Sequence, residues 1–268
     1  MKIQVGYEMV YSFPQETAMV LMLNVHDSRA ADIEVPDVVT TDPAVPMSEY
    51  RDSFGNRCTR ILAPPGRITI ASKGIVRDSG EFEVTVSSAG QHPVQDLPDD
   101  ALVFLLASRY CETEFLSQIA WNLFGNVAPG WTRVQAICDY VHNHITFGYQ
   151  NARNTRTAWE AYTEQTGVCR DFTHLAITLC RCMNIPARYC TGYLGDMGLP
   201  PPYCPMDFAA WFEAYLGGEW HTFDPRNNQP RIGRTLIARG RDAADVAIAT
   251  TFGPHILEGF TVYTDEVQ

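Results

Sequence analysis

Residues 166–194 read TGVCRDFTHLAITLCRCMNIPARYCTGYL, and the spacing of apolar residues in this stretch decides the fold class. Phe172, Leu175, Ala176, Leu179, Cys180 and Met183 recur at intervals of three and four, which lines one wide face of a helix. The helix is predicted to start near Cys169 and to end at Asn184 and Pro186, a left-handed former followed by a residue that cannot continue it. Upstream, Thr157 and Glu160 have the spacing of a capping box. They predict a short helix that stops by Gly167.

Cys169 therefore falls in the first turn of a helix whose face belongs to a core. Backbone N–H groups and the helix dipole at that end favour a thiolate and lower its pKa. Two readings stay open from spacing alone: a nucleophile, or a buried structural cysteine. Asp171, two residues on, is read as a cap of the helix N-terminus and not as a catalytic group.

Downstream, residues 207–216 read DFAAWFEAYL. The alternation sets Asp207, Ala209, Trp211, Glu213 and Tyr215 on one strand face. Gly217-Gly218 suits a two-residue hairpin turn, and EWHTFD returns antiparallel. Leu216 then pairs with Glu219, and counting back places Asp224 opposite Trp211. Position 209 becomes the diagonal neighbour of Asp224, within about 7–8 Å. A histidine there could hydrogen-bond Asp224 and present its other nitrogen to a cysteine, the arrangement of a thiol acyl-transfer site. The chain has Ala209 instead.

Residues 1–95 read differently. KIQVGYEMVYSF, AMVLMLNVHD, NRCTRILA, GRITIASKGIV and EFEVTVSS are short β-patterned runs separated by turn clusters such as DSFGN, PPG and DSG, as in a small antiparallel sandwich. GQHPVQDLPDD is read as a linker. Beyond it, TEFLSQIAWNLFG and TRVQAICDYVHNHI carry the helical period. The expected organisation is an all-β sandwich over 1–95 and an α+β unit over 96–268.

Composition narrows the function classes. With 268 residues, 46% of them apolar and 19% charged, the chain can build a core without covalent staples. A formal charge of -11 argues against nucleic acid or an anionic membrane surface as partner. The N-terminus alternates like a strand and is expected to be the first strand of the mature fold rather than a signal peptide. No apolar run reaches the roughly 20 residues of a membrane span. Eight cysteines without a scaffold pattern are expected to be free thiols in a reducing cytoplasm. Cys180, Cys182 and Cys190 lack a paired CxxC and are read as buried small hydrophobes, so no metal or other cofactor is expected.

TGVCRDFTHL, NIPARYCTGYL and AWFEAYLGGEWHTFDPR together resemble the transglutaminase-like superfamily of bacteria, whose motifs are Gly-x-Cys-x-Asp, Ile-Pro-Ala-Arg, His-Ala-Trp-x-Glu and Trp…Asp-Pro. The resemblance covers roughly residues 100–268, and the β-rich part resembles the region that often precedes this core. It implies a papain-like core with a Cys-His-Asp triad, Cys169 as nucleophile and Asp224 as orienting acid. The family's histidine falls at Ala209. It also implies attack on an amide carbonyl of a peptide or protein, with the thioester resolved by water or an amine. Oxyanion donors are expected from the Cys169 N–H and the Gln165 side chain, and Trp211 and Tyr193 are candidates for lining the cleft. His221 and His174 point away from the site by strand alternation and helix angle, and no other histidine lies in a motif. The chain reads either as an enzyme inactivated at one position or as a binding protein built on the same cleft.

Overall fold

The computed structural model describes residues 1–201 and 206–267; Cys204, counted above among the thiols, lies outside them. The chain opens with β1 (Lys2–Phe13), β2 (Thr17–Leu21), β3 (Ile33–Val35), β4 (Thr40–Asp42), β5 (Met47–Arg51), β6 (Arg57–Ala63) and β7 (Gly66–Arg77). Helices α1 (Asp99–Leu102), α2 (Thr113–Phe124) and α3 (Trp131–His144) follow, then β8 (Thr146–Phe147), α4 (Ala158–Glu164), β9 (Thr166–Gly167) and α5 (Cys169–Cys182). The last elements are β10 (Ala187–Tyr193), β11 (Ala209–Leu216), β12 (Glu219–Phe223), β13 (Thr235–Gly240), β14 (Ala249–Thr251) and β15 (Ile256–Val267).

Period-two alternation builds the β-rich part as expected. Ile3, Met9 and Tyr11 of β1 face Val76, Ile70 and Ile68 of β7, while Met19 of β2 faces Ile61 of β6. The sheets run β15-β1-β7-β3, with β4 also on β7, and β14-β2-β6-β5. Their buried residues join one apolar cluster, the packing of two sheet faces against each other.

Three expectations change here. A cut at residue 95 does not describe the end of the chain, because β14 pairs with β2 and β15 pairs with β1 along nearly its whole length. The last strands thus close the β-rich part. AMVLMLNVHD is a strand only to Leu21, because beyond it Asn24 donates to the Asp37 carbonyl (2.7 Å) and Val25 N–H to the Asp37 carboxylate (2.6 Å). EFEVTVSS forms no strand. Its Glu83 turns to Arg234 (2.5 Å), while Phe82 and Val84 stay exposed. The alternation is satisfied by an ion pair rather than a sheet neighbour.

In the second part α5 lies at the centre, packed on β10 and β11 and flanked by α2, α3 and α4. Every residue from Asp171 to Cys182 is buried, so the helix is enclosed on all sides and not on one face only. Its buried Arg181 is satisfied internally, donating to the carbonyls of Ala187, Leu106 and Arg241. Asn184 ends it with a φ of 60°. The sheet runs β12-β11-β10-β13. Gly217 and Gly218, with φ of 62° and 93°, make the hairpin turn that positive φ requires, and Leu216 pairs with Glu219 as counted.

Candidate active site

Cys169 opens α5, held there by its neighbours in sequence. The Asp171 carboxylate accepts the Val168 N–H (2.9 Å) and pairs with Arg156 (3.0 Å). Both charged side chains are buried, so this is a capping ion pair inside the protein. Gly167 allows it, because a Cβ there would stand 2.6 Å from the Asp171 side chain. The spacing of Gly167, Cys169 and Asp171 thus follows from the geometry of one helix start. Thr157 and Glu160 make the expected capping box on α4 (3.3 and 3.0 Å).

Position 209 meets this helix start from the sheet. Ala209 pairs with Gly192 across β10–β11, and its carbonyl accepts the Thr191 hydroxyl (3.1 Å). Cys169, Ala209 and Ala210 line one pocket of about 70 Å³ together with Asp207, Arg226 and Asn227. The cysteine and the Ala209 methyl group therefore share one cavity.

Desolvation pushes Cys169 up to about 11, and the Asp207 carboxylate adds to the rise. The Ala210 N–H and Arg226 pull the other way without prevailing. The direction is opposite to the lowering expected from the helix N-terminus. Asp207 itself is raised by burial, with its Oδ1 accepting the Phe208 N–H (2.7 Å).

Asp224 follows the last paired residue of β12, Phe223, whose partner is Phe212, so the counted register puts it across from Trp211. Its carboxylate is fully engaged. Oδ1 accepts the N–H groups of Arg226 (3.1 Å) and Asn227 (3.0 Å); Oδ2 accepts Asn227 Nδ2 (2.7 Å) and Arg234 Nη2 (3.0 Å). Four donors fill the roughly four acceptor positions of a carboxylate. Arg234 lies 4.7 Å over the Trp211 ring and also pairs with Glu83. Arg234 and Glu83 escaped the sequence reading because they lie outside every motif and far apart in the chain.

Among the described residues no histidine lines the pocket. His174 is enclosed between Tyr110 and Tyr189 (ring centroids 5.0 and 5.1 Å) and accepts the Ala243 N–H at Nε2. His221 stands beside the Leu216 carbonyl (3.1 Å). His142 Nδ1 is near the Pro225 and Arg226 carbonyls (3.2 and 3.0 Å), bracing the turn after Asp224.

Three expected site residues lie elsewhere. Gln165 is exposed at the left-handed end of α4 (φ 56°) and does not line the pocket. Its backbone carbonyl accepts Thr146 N–H, so the position serves the turn. Trp211 is 2% exposed, packed under Arg234 and against Gly192. Tyr193 is 1% exposed and packs on Phe208 (5.3 Å). Both aromatics are core residues behind the pocket wall, where Phe208, Phe147 and Tyr149 stand instead. Cys180, Cys182 and Cys190 are buried, and among the described residues no three His, Cys, Asp or Glu side chains gather as metal ligands would.

The sequence matches the family model of the transglutaminase-like superfamily over residues 117–225. A crystal structure of a "Putative Cysteine Protease" from Cytophaga hutchinsonii is similar with a TM-score of 0.86 and 31% identity, covering 100% of this chain and 91% of that one. An uncharacterized protein of Mycobacterium leprae is 35% identical over 217 residues, 78% of this chain and 77% of its own length. Another, from Mycobacterium tuberculosis H37Rv, is 27% identical over 230 residues, 78% of this chain and 73% of its own. The chain belongs to the transglutaminase-like superfamily. Among the described residues no helix is long and apolar enough to cross a membrane.

Proposed function

We propose that the Cys169 pocket is the acyl site of a transglutaminase-like thiol enzyme whose turnover is disabled at position 209. In the full reaction the sulfur attacks an amide carbonyl of a peptide or protein, and the oxyanion forms against the Cys169 N–H, which at the first helical position has no intrahelical acceptor. The amine leaves with a proton, and water or a second amine resolves the thioester. Here, among the described residues, the pocket offers no imidazole to take the thiol proton and deliver it to the leaving group. The observation that carries the reading is the shared cavity of Cys169 and Ala209, with no histidine among the described residues of its lining.

A second reading, a module that binds amides without chemistry, is supported by Asp224, whose acceptor positions are already taken by Arg234 and the 226–227 turn. Intact mass after incubation with a peptide-amide library separates the two. A thioester on Cys169, absent from Cys169→Ala, belongs to a stalled enzyme. Saturable peptide binding with no adduct, in this chain and in Ala209→His alike, belongs to the binding module. Free thiols at all seven described cysteines support a reducing, cytoplasmic setting.

A further inference from the structure

A second pocket, of about 660 Å³, opens on the other face of the catalytic sheet. Tyr189 of β10 packs on His174 of α5, so its neighbour Arg188 points away from that helix. Cys190 pairs with Arg239 and Tyr189 with Gly240, which places Arg188 across from Arg241. Arg188, Arg239 and Arg241 thus line one face of the pocket. Its other walls are aromatic. Phe104 meets Trp220 edge-on at 5.4 Å, Phe54 lies 6.0 Å from Phe104, and the Arg188 guanidinium sits 4.0 Å over Trp220.

Two of the three arginines have acids of their own. Arg188 uses Nε on Glu213 (2.5 Å), and Arg241 is held by both oxygens of Asp245 (2.9 and 3.0 Å). Arg239 differs. Its backbone N–H and carbonyl both bond the Asn56 side chain (2.9 and 2.8 Å), and its guanidinium makes no hydrogen bond or ion pair among the described residues. Burial and the charge of Arg188 press its pKa down, and the Glu213 carboxylate that pairs with Arg188 pulls the other way without prevailing. The remaining acid of the lining, Asp100, is exposed in α1, where solvent and salt screen its repulsion. In a chain with 31 acidic and 20 basic residues, a half-buried arginine that bonds no acid and stands beside two others is a place where a small anion gains charge-assisted hydrogen bonds.

We infer that this pocket binds a small oxyanion carried on a ring, a carboxylate or a phosphate ester. The anion bonds the Arg239 fork and the free Nη groups of Arg188, and the ring packs on Trp220 and Phe104. The volume falls within the range of small-molecule sites, and the position between the β-rich part, α1 and the catalytic sheet is of the kind such sites favour. No described lining residue is shared with the Cys169 pocket, so the two sites are separate.

Isothermal titration with phenylacetate and phenyl phosphate tests this, with benzyl alcohol as the uncharged ring and acetate and inorganic phosphate as ringless anions. One or both ring-bearing anions should bind saturably, at least about tenfold tighter than any control. Which of the two binds names the anion. Arg239→Met should weaken that binding by about tenfold or more while Cys169 keeps its alkylation rate. In the unaltered protein, rising NaCl should weaken it as well. The inference is overturned by no saturable heat from either probe, by equal affinity for benzyl alcohol, by unchanged affinity in Arg239→Met, or by affinity indifferent to salt.

Discussion

Replacing Asp224 by Asn should cost about 3–5 kcal/mol of stability, even though no imidazole is present for the acid to orient. The side chains of Asp224 and Arg234 are 3% and 6% exposed, so their ion pair is desolvated; Arg234 keeps Glu83, but losing Asp224 removes a buried charge-assisted hydrogen bond. The donor count leads to the same size. Two N–H donors converge on each carboxylate oxygen, whereas an amide offers one oxygen and one NH2. Whichever way it is rotated, two donors then face an N–H. Each hydrogen bond lost from a charged acceptor is worth about 1.5–3 kcal/mol. Urea unfolding at unchanged m would read the loss directly. A double-mutant cycle with Arg234→Met should return a coupling of about 1.5 kcal/mol or more. A loss below about 1 kcal/mol at unchanged m would refute the argument, returning Asp224 to a carboxylate that merely waits for a histidine.

The Cys169 thiol, raised to about 11, is protonated through neutral pH, so alkylation by iodoacetamide should climb with a midpoint near that value. At pH 8 the rate should be more than about a hundredfold below that of an ordinary thiol of pKa about 8.5; peptide mapping across pH checks this, and a midpoint near 8.5 contradicts it. Ala209→His should lower that midpoint and raise amide turnover toward the bottom of the roughly 10²–10⁴-fold range of a general base, because Asp224 is already engaged; steady-state assays decide. His174 is buried and held neutral by desolvation, well below the usual imidazole value. A depressed folded pKa contributes stability above the unfolded value of about 6.5, lost as pH falls. Urea melts between pH 7 and 5 should lose up to about 1.4 kcal/mol per pH unit more than melts of His174→Phe. Gly167→Ala should cost about 1–3 kcal/mol, since its methyl would collide with the Asp171 carboxylate at 2.6 Å; equal urea midpoints would contradict the proposed packing.

Much of the fold could be read from local residues. The Thr157–Glu160 box, the Asn184–Pro186 stop, the Gly217-Gly218 turn and the register that follows from it are set by neighbours a few positions apart, and the folded chain keeps them. The strand alternation of β1, β6 and β7 was equally legible, because a half-buried strand shows its period directly. Counting back from the same turn reaches Ala209, which the fold places in the Cys169 pocket.

What local pattern does not carry was decided by tertiary contact. β14 and β15 return to the first sheets, a pairing across most of the chain that leaves no mark on composition. Trp211 and Tyr193 look alike as core and as cleft residues, since an aromatic on a strand is apolar on either side of the wall; only the packing of Arg234 and Phe208 against them settles which. The Cys169 pKa reversed direction because desolvation depends on what surrounds the sulfur, while the helix N-terminus is visible in sequence. Asp224 was identified by its place in a motif, but its partners Arg234 and Glu83 stand 10 and 141 positions away, Glu83 joined through Arg234. Sequence fixes which groups are available near each turn; charge pairing in a low-dielectric interior depends on distances that only the folded chain sets.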